Sequence, residues 1–160
     1  MLRSRQKQPP LILQALSVPI IALLDDEPDR IDAMRPLLAE RCPGFEVVVF
    51  ENSPDMLDWL GQHLGHVQLL LLDHDLGPNQ FRNGASFDPG TGRDVADFLA
   101  TRPPQCHVIL HTTNFLAAPG MRRVLEDAGW TVSHVVPYGD LDWVPEAWNE
   151  EVERVMKELR

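Results

Sequence analysis

Cysteine is nearly absent from this chain. Two in 160 residues, Cys42 and Cys106, are too few for a disulfide framework, and they read as reduced thiols in a cytoplasmic protein. Basic side chains are scarce too: 14 Lys and Arg stand against 24 Asp and Glu, a net charge of −10. That balance argues against non-specific attraction to nucleic acid or to an anionic membrane surface. No run of about 20 uninterrupted apolar residues occurs, so no membrane span is predicted. Low-complexity segments and internal sequence repeats are missing as well. The amino terminus imitates a targeting segment, with Arg3, Arg5 and Lys7 ahead of the apolar stretch Leu11–Leu24. Gln14, Ser17 and Pro19 interrupt that stretch and no small-residue cleavage site follows. Residues 1–17 therefore read as an arm, and 18–160 as one domain with a core of ordinary apolar content, 44% hydrophobic.

What is present is alternation. Strand-like runs cover Ile20–Leu24, Phe45–Phe50, Val67–Asp73, His107–Thr112 and Thr131–Val136. Helical patterns lie between them. Asp29–Arg41 carries Ile31, Met34, Leu37 and Leu38 on one face, and Ser53 reads as an N-cap with Pro54 at the first helical position. Asp94–Ala100 follows, then Ala118–Asp127, which stops at Gly129. A last helix runs from near Asp142 to the end, with Val144, Trp148, Val152 and Val155 at a 3.6-residue period. Five repeats of strand then helix predict an α/β fold, a doubly wound five-stranded parallel sheet with helices on both faces.

The chemistry gathers at two strand ends. The first run stops at Asp25-Asp26-Glu27 and the third at Asp73-His74-Asp75. In an open parallel sheet, ligands bind at the carboxyl ends of the strands. Like charges brought together there raise one another's pKa unless a cation holds them. Asp25, Asp26 and Asp73 favour a hard cation, Mg²⁺ first. Participation of His74 or His111 would bring Mn²⁺ or Zn²⁺ into range. Strand alternation sends Asp73 and Asp75 one way and His74 the other, and turns His111 away from Thr112. The structural alternative for Asp25 or Asp26 is capping of the first helix.

The connection 76–92, LGPNQFRNGASFDPGTG, is far longer than the usual ~2–6 residues. It reads either as a surface insertion or as a lid over the site. Asn114 either orients a phosphate or caps the turn that follows. Arg30 and Arg93 are candidates to meet a phosphate, although exposed helical arginines usually have no specific partner. Trp143 and Trp148 read as core or interface residues, with nucleobase stacking the weaker option.

Asp25-Asp26-Glu27-Pro28, LLLLDHDLG and VILHTTN stand in an order that resembles a response-regulator receiver domain over about residues 18–157. The resemblance implies a flavodoxin-like sheet in the order 2-1-3-4-5. It implies that Asp25, Asp26 and Asp73 bind Mg²⁺, that Asp73 accepts a phosphoryl group, and that Asp75 lends its backbone carbonyl to the metal. Thr112, or Thr113, would be the switch hydroxyl. Receivers end the fifth strand with a Lys-Pro pair whose Lys grips the phosphoryl group; here the pair is Val136-Pro137. LDHDLG, TGRDVADFL, HTTN and MRRVLEDAGW together resemble the narrower cyclic-phosphate processing receiver domain family. That resemblance implies handling of cyclic or other phosphoesters in nucleotide-based conflict systems. Asp73, His74 and His111 would then be catalytic and Thr112, Thr113 and Asn114 phosphate-binding. The alternative is a phosphoacceptor or pseudo-receiver that signals through protein contacts. Expected partners are a phosphate-containing small molecule or a protein, a second copy of the chain included; no DNA-binding domain is read.

Overall fold

The computed structural model describes residues 17–159; the arm expected over 1–17 lies almost wholly outside them. Five parallel strands form one sheet: β1 (Ile20–Leu24), β2 (Glu46–Phe50), β3 (Val67–Leu72), β6 (His107–Leu110) and β7 (Thr131–His134). Their spatial order is β2-β1-β3-β6-β7, which is the order 2-1-3-4-5 once the short strands β4 (Gln80–Arg82) and β5 (Ala85–Phe87) are set aside. The helices are α1 (Pro28–Arg41), α2 (Ser53–His63), α3 (Gly92–Ala100), α4 (Ala118–Asp127) and α5 (Asn149–Glu158). A single π turn, Val144–Trp148, leads into α5, so the helical segment expected from Asp142 begins wound more loosely than an α-helix.

Parity along the strands divides the core. Ala22, Leu24, Leu70, Leu72, Val108 and Leu110 face α2, α3 and α4. Ile21, Leu23, Leu69, Leu71 and Ile109 face α1 and α5, together with Trp143 and Trp148. β1 and β6 are buried along their whole length, as expected of strands covered on both faces. Each fully buried Leu or Ile contributes roughly 1.5–3 kcal/mol relative to exposure, so the central strands anchor the fold. Cys42 is buried and Cys106 is a part-buried free thiol. Burial pushes the Cys106 thiol up to about 12, which keeps it protonated and unreactive.

Two local expectations need correction. The cap of α2 is Asn52, whose side chain accepts the Asp55 N–H at 2.9 Å. Ser53 is already helical, and its hydroxyl donates to the Pro89 carbonyl at 3.1 Å. The strands β3, β6 and β7 each end one or two residues earlier than hydropathy implies, although single ladder bonds continue at Asp73, His111 and Val135.

Candidate metal centre

Register builds the site. Leu24, Leu72 and Leu110 are neighbours across β1, β3 and β6. The parallel ladder continues one residue further, with Asp73 N–H bonded to the Leu24 carbonyl and His111 N–H to the Leu72 carbonyl. Asp25, Asp73 and His111 are therefore side by side, all with the parity that faces α1 and α5. Asp25 and His111 are fully buried and Asp73 nearly so. His111 Nε2 lies 3.0 Å from Asp25 Oδ2, and the imidazole stacks on Trp143 with ring centroids 5.9 Å apart. The other Asp25 oxygen accepts the Glu27 N–H at 2.9 Å, so Asp25 steers the entry to α1 as well as facing the cluster.

Asp25, Asp26 and Asp73 each offer an oxygen within 4.8 Å of the others. Three convergent carboxylate oxygens are the donor set of a hard divalent cation. Glycine permits the approach. A Cβ on Gly77, which has φ +72°, would stand 2.6 Å from Asp26 Oδ2, and one on Gly92 would stand 1.9 Å from the Asp73 carbonyl oxygen. Burial pushes the Asp73 carboxyl up to about 7; His111 and Arg30 oppose the rise and the Asp25 charge adds to it. Asp26 is raised as well, by burial first and then by Asp25. These are the electrostatics of carboxylates crowded without a full counter-charge.

The counter-charge at hand is Arg30. Its Nη1 lies 3.5 Å from Asp73 Oδ2 and 3.8 Å from Asp25 Oδ2, and its Nε 3.4 Å from Glu27. The guanidinium carbon sits 5.4 Å from the Trp143 ring centroid. Arg93, by contrast, pairs with Asp97 on its own helix at 2.8 Å and does not join the cluster. Sequence reasoning gave both arginines the same low weight. Helix position does not separate them, since each stands in the first turn of its helix, where the macrodipole disfavours positive charge; what differs is the partner each meets in space.

The remaining candidates form a second group beside the first. The Asp75 carboxylate is exposed and stands apart from the three-acid cluster; it pairs with His74 Nδ1 at 2.9 Å and accepts from Asn114 Nδ2 at 3.2 Å. Alternation carried past the strand end thus misplaces the Asp75 side chain, because the chain turns after Asp73. Asn114 caps the turn that follows, its Oδ1 accepting the Leu116 and Ala117 N–H groups. Thr112 is buried. Its hydroxyl accepts the Asn114 N–H at 3.1 Å, which leaves the hydroxyl proton free to donate. Thr113 is exposed. Val136 is exposed, and no cation occurs in Val135–Gly139.

The long connection is ordered. Its strands β4 and β5 pair as an antiparallel hairpin around Asn83-Gly84, both at positive φ, the backbone that two-residue hairpin turns require. Gln80 Nε2 donates to the Glu51 carbonyl at 2.7 Å and Arg82 pairs with Asp55 at 2.6 Å. These bonds dock the hairpin on the β2–α2 side of the acids. A cleft of about 470 Å³ opens between it and α1, lined in part by Arg35, Glu51, Phe81 and Phe87. A shallower hollow bordered by Asp26, Glu51 and Phe81 continues it toward the acids.

Solved structures similar to the chain are receiver domains. A response regulator receiver domain from Rhodospirillum rubrum is 17% identical, with TM-score 0.62 over 88% of this chain and 94% of that one. The phosphorylated cyanobacterial phytochrome response regulator RcpA is 17% identical, with TM-score 0.61 over 87% and 91%. The Mn²⁺-bound form of response regulator Rcp1 is 15% identical, with TM-score 0.58 over 87% and 92%. At such identities the likeness establishes the receiver fold. No curated protein matches the chain, and among the described residues no helix is long and apolar enough to cross a membrane. Residues 20–127 match the family model described as Cyclic-phosphate processing Receiver domain. That span is most of the chain and holds both acidic strand ends, the HTTN segment and the hairpin, and on it the chain belongs to the cyclic-phosphate processing receiver domain family.

Proposed function

We propose that this receiver-like domain is a metal-dependent phosphoesterase, processing cyclic or other phosphoesters in a nucleotide-based conflict system. The observation that carries the reading is the trio Asp25, Asp26 and Asp73, the first and last buried and Asp26 half-buried, with oxygens within 4.8 Å. In this reading those carboxylates and the Asp75 carbonyl hold the cation. Because His111 is engaged by Asp25, the donor set is all oxygen, which favours Mg²⁺ or Mn²⁺ over Zn²⁺. The bound cation would polarise a phosphoryl oxygen and lower the pKa of a water molecule. His111 is fully buried, so its part is to fix Asp25. His74 is the group for proton transfer: Asp75 orients its Nδ1, as a carboxylate orients a catalytic imidazole. The Thr112 hydroxyl, with Thr113 and Asn114, would contact the phosphate.

Turnover of cyclic and linear phosphoesters with Mg²⁺ and with Mn²⁺ tests the proposal, with Asp73→Ala as the control. Hydrolysis that disappears in the variant is the expected result; no hydrolysis of any ester sinks it. A second reading, a phosphoacceptor module acting through protein contacts, draws support from likeness to a phosphorylated response regulator. A small phosphodonor with Mg²⁺ followed by intact mass separates the two. One lasting phosphoryl adduct on Asp73 without turnover favours signalling.

A further inference from the structure

We propose that Arg30 is the oxyanion-binding group of this centre, leaving the carboxylates for a phosphoryl group once a divalent cation is bound. The inference rests on the acidic cation site proposed above. Among the described residues, Arg30 is the Lys or Arg found within 4.0 Å of Asp25 or Asp73. The end of β7, where a receiver's Lys would stand, offers Val136. A phosphate bound beside three carboxylates needs a positive partner besides the metal, and this guanidinium is the one in place.

The geometry shows a side chain that is held but not committed. Its contacts with the three acids lie at 3.4–3.8 Å. Arg82 meets Asp55 at 2.6 Å with two nitrogens on two oxygens, the bidentate arrangement of a satisfied pair. Arg30 forms no such fork. The Trp143 ring beneath it is fully buried and fixes the guanidinium by its face. The edge N–H groups stay available to a planar or tetrahedral oxyanion, for which the arginine fork is well matched. At 16% side-chain exposure the group is largely shielded from water but not sealed off from it.

The exchange follows from charge. Without a divalent cation, Arg30 shares the oxygens of Asp25 and Asp73. A divalent ion competes for those same oxygens and repels the guanidinium. The released N–H groups would then be free to donate to a phosphoryl oxygen held at the same carboxyl edge. No bond to carbon or phosphorus is made or broken by Arg30, and it keeps its proton throughout.

This predicts effects of opposite sign. Mn²⁺ binding, read by electron paramagnetic resonance, and orthovanadate binding to the Mn²⁺-loaded protein would be measured for wild type, Arg30→Ala and Arg30→Lys. Arg30→Ala should bind Mn²⁺ about threefold or more tightly, because a competing cation is gone. It should bind vanadate about tenfold more weakly, the scale of a lost charged hydrogen bond. Arg30→Lys should recover part of the vanadate affinity. Unchanged vanadate affinity in Arg30→Ala with Mn²⁺ uptake intact overturns the role of Arg30 alone. No Mn²⁺ uptake by the wild type overturns the cation site itself. Should Arg30→Ala fold poorly, Arg30→Gln keeps a planar side chain over Trp143 and carries the same comparison.

Discussion

The carboxyl edge of the sheet has two halves with different contents. At the ends of β1 and β3 stand three convergent carboxylates, a guanidinium and a docked hairpin. At the ends of β6 and β7 stand a self-capped turn and exposed apolar side chains: Phe115, Leu116, Val136 and Tyr138. The first half is electrostatically unfinished, since its acids exceed its cations. The second has its turn capped by its own Asn114, whose amide also reaches Asp75 and His74. His111 joins them. It belongs to β6 by sequence but to the acid half by parity, because its ring turns to Asp25 and Trp143. Ligand chemistry should therefore respond to the first half and to His111, and hardly at all to the outer surface of the second.

The largest effect is expected at Trp143. Trp143→Ala removes a fully buried ring that supports both His111 and Arg30 and should cost about 3–5 kcal/mol by urea unfolding. Mn²⁺ affinity should fall with it. Full metal affinity in a destabilised variant would show that the acids hold their geometry without the aromatic platform. His111→Phe keeps the ring stack but strips the fully buried Asp25 of its imidazole partner. A loss of about 1–3 kcal/mol is expected for that unsatisfied carboxylate, with part of it regained by adding Mn²⁺. A neutral result would free Asp25 from dependence on β6 and dissolve the bridge between the halves.

Protonation offers a smaller and more specific probe. The Asp73 carboxyl is pushed from 3.8 up to about 7 in the folded, metal-free protein. The folded state thus binds a proton that the unfolded state has released between those pH values. This contribution to stability is fully present below pH 3.8 and is lost as pH rises through about 7. The slope approaches about 1.4 kcal/mol per pH unit inside the window. Asp73→Asn should flatten the difference curve there. Saturating Mg²⁺ should reverse its sign, because the metal binds the ionised form. A difference between wild type and Asp73→Asn that does not vary with pH would show that Asp73 stays ionised without a metal.

Much of this was legible from residue order. Five apolar runs with helical patterns between them are sufficient to read a doubly wound sheet, and the acid-tipped runs mark Asp25, Asp26 and Asp73. Three things were not. The hairpin at 80–87 is hidden because its strands are three residues long and its pairing depends on Asn83-Gly84 tolerating positive φ. Asp75 was misjudged since parity fails once the chain turns. Arg30 was underrated, because a guanidinium's worth depends on what lies opposite it in space, here Trp143 and two other strands' carboxylates. His111 lies between these cases. Its parity was readable, but that the same parity faces the acids required the register of β3 with β6.

The smallest expected effect tests the division most directly. Leu116 is 95% exposed, two residues beyond the Asn114 that caps its turn through the Leu116 N–H. Leu116→Ser keeps that N–H and removes only side-chain surface already in water. Its stability should stay within about 0.5 kcal/mol of wild type, and Mn²⁺ and vanadate affinities should not move. The rest of the turn is tied to the acid half by the Asn114–Asp75 and Asn114–His74 contacts, so a substitution that disturbed the turn would be felt at His74. If Leu116→Ser nonetheless changes phosphoester turnover, the apolar surface of the second half contacts substrate, and the two halves act as one site. If turnover is unchanged while Arg30→Ala alters it, the outward apolar surface of the second half takes no part in the chemistry, and the guanidinium beside the carboxylates does.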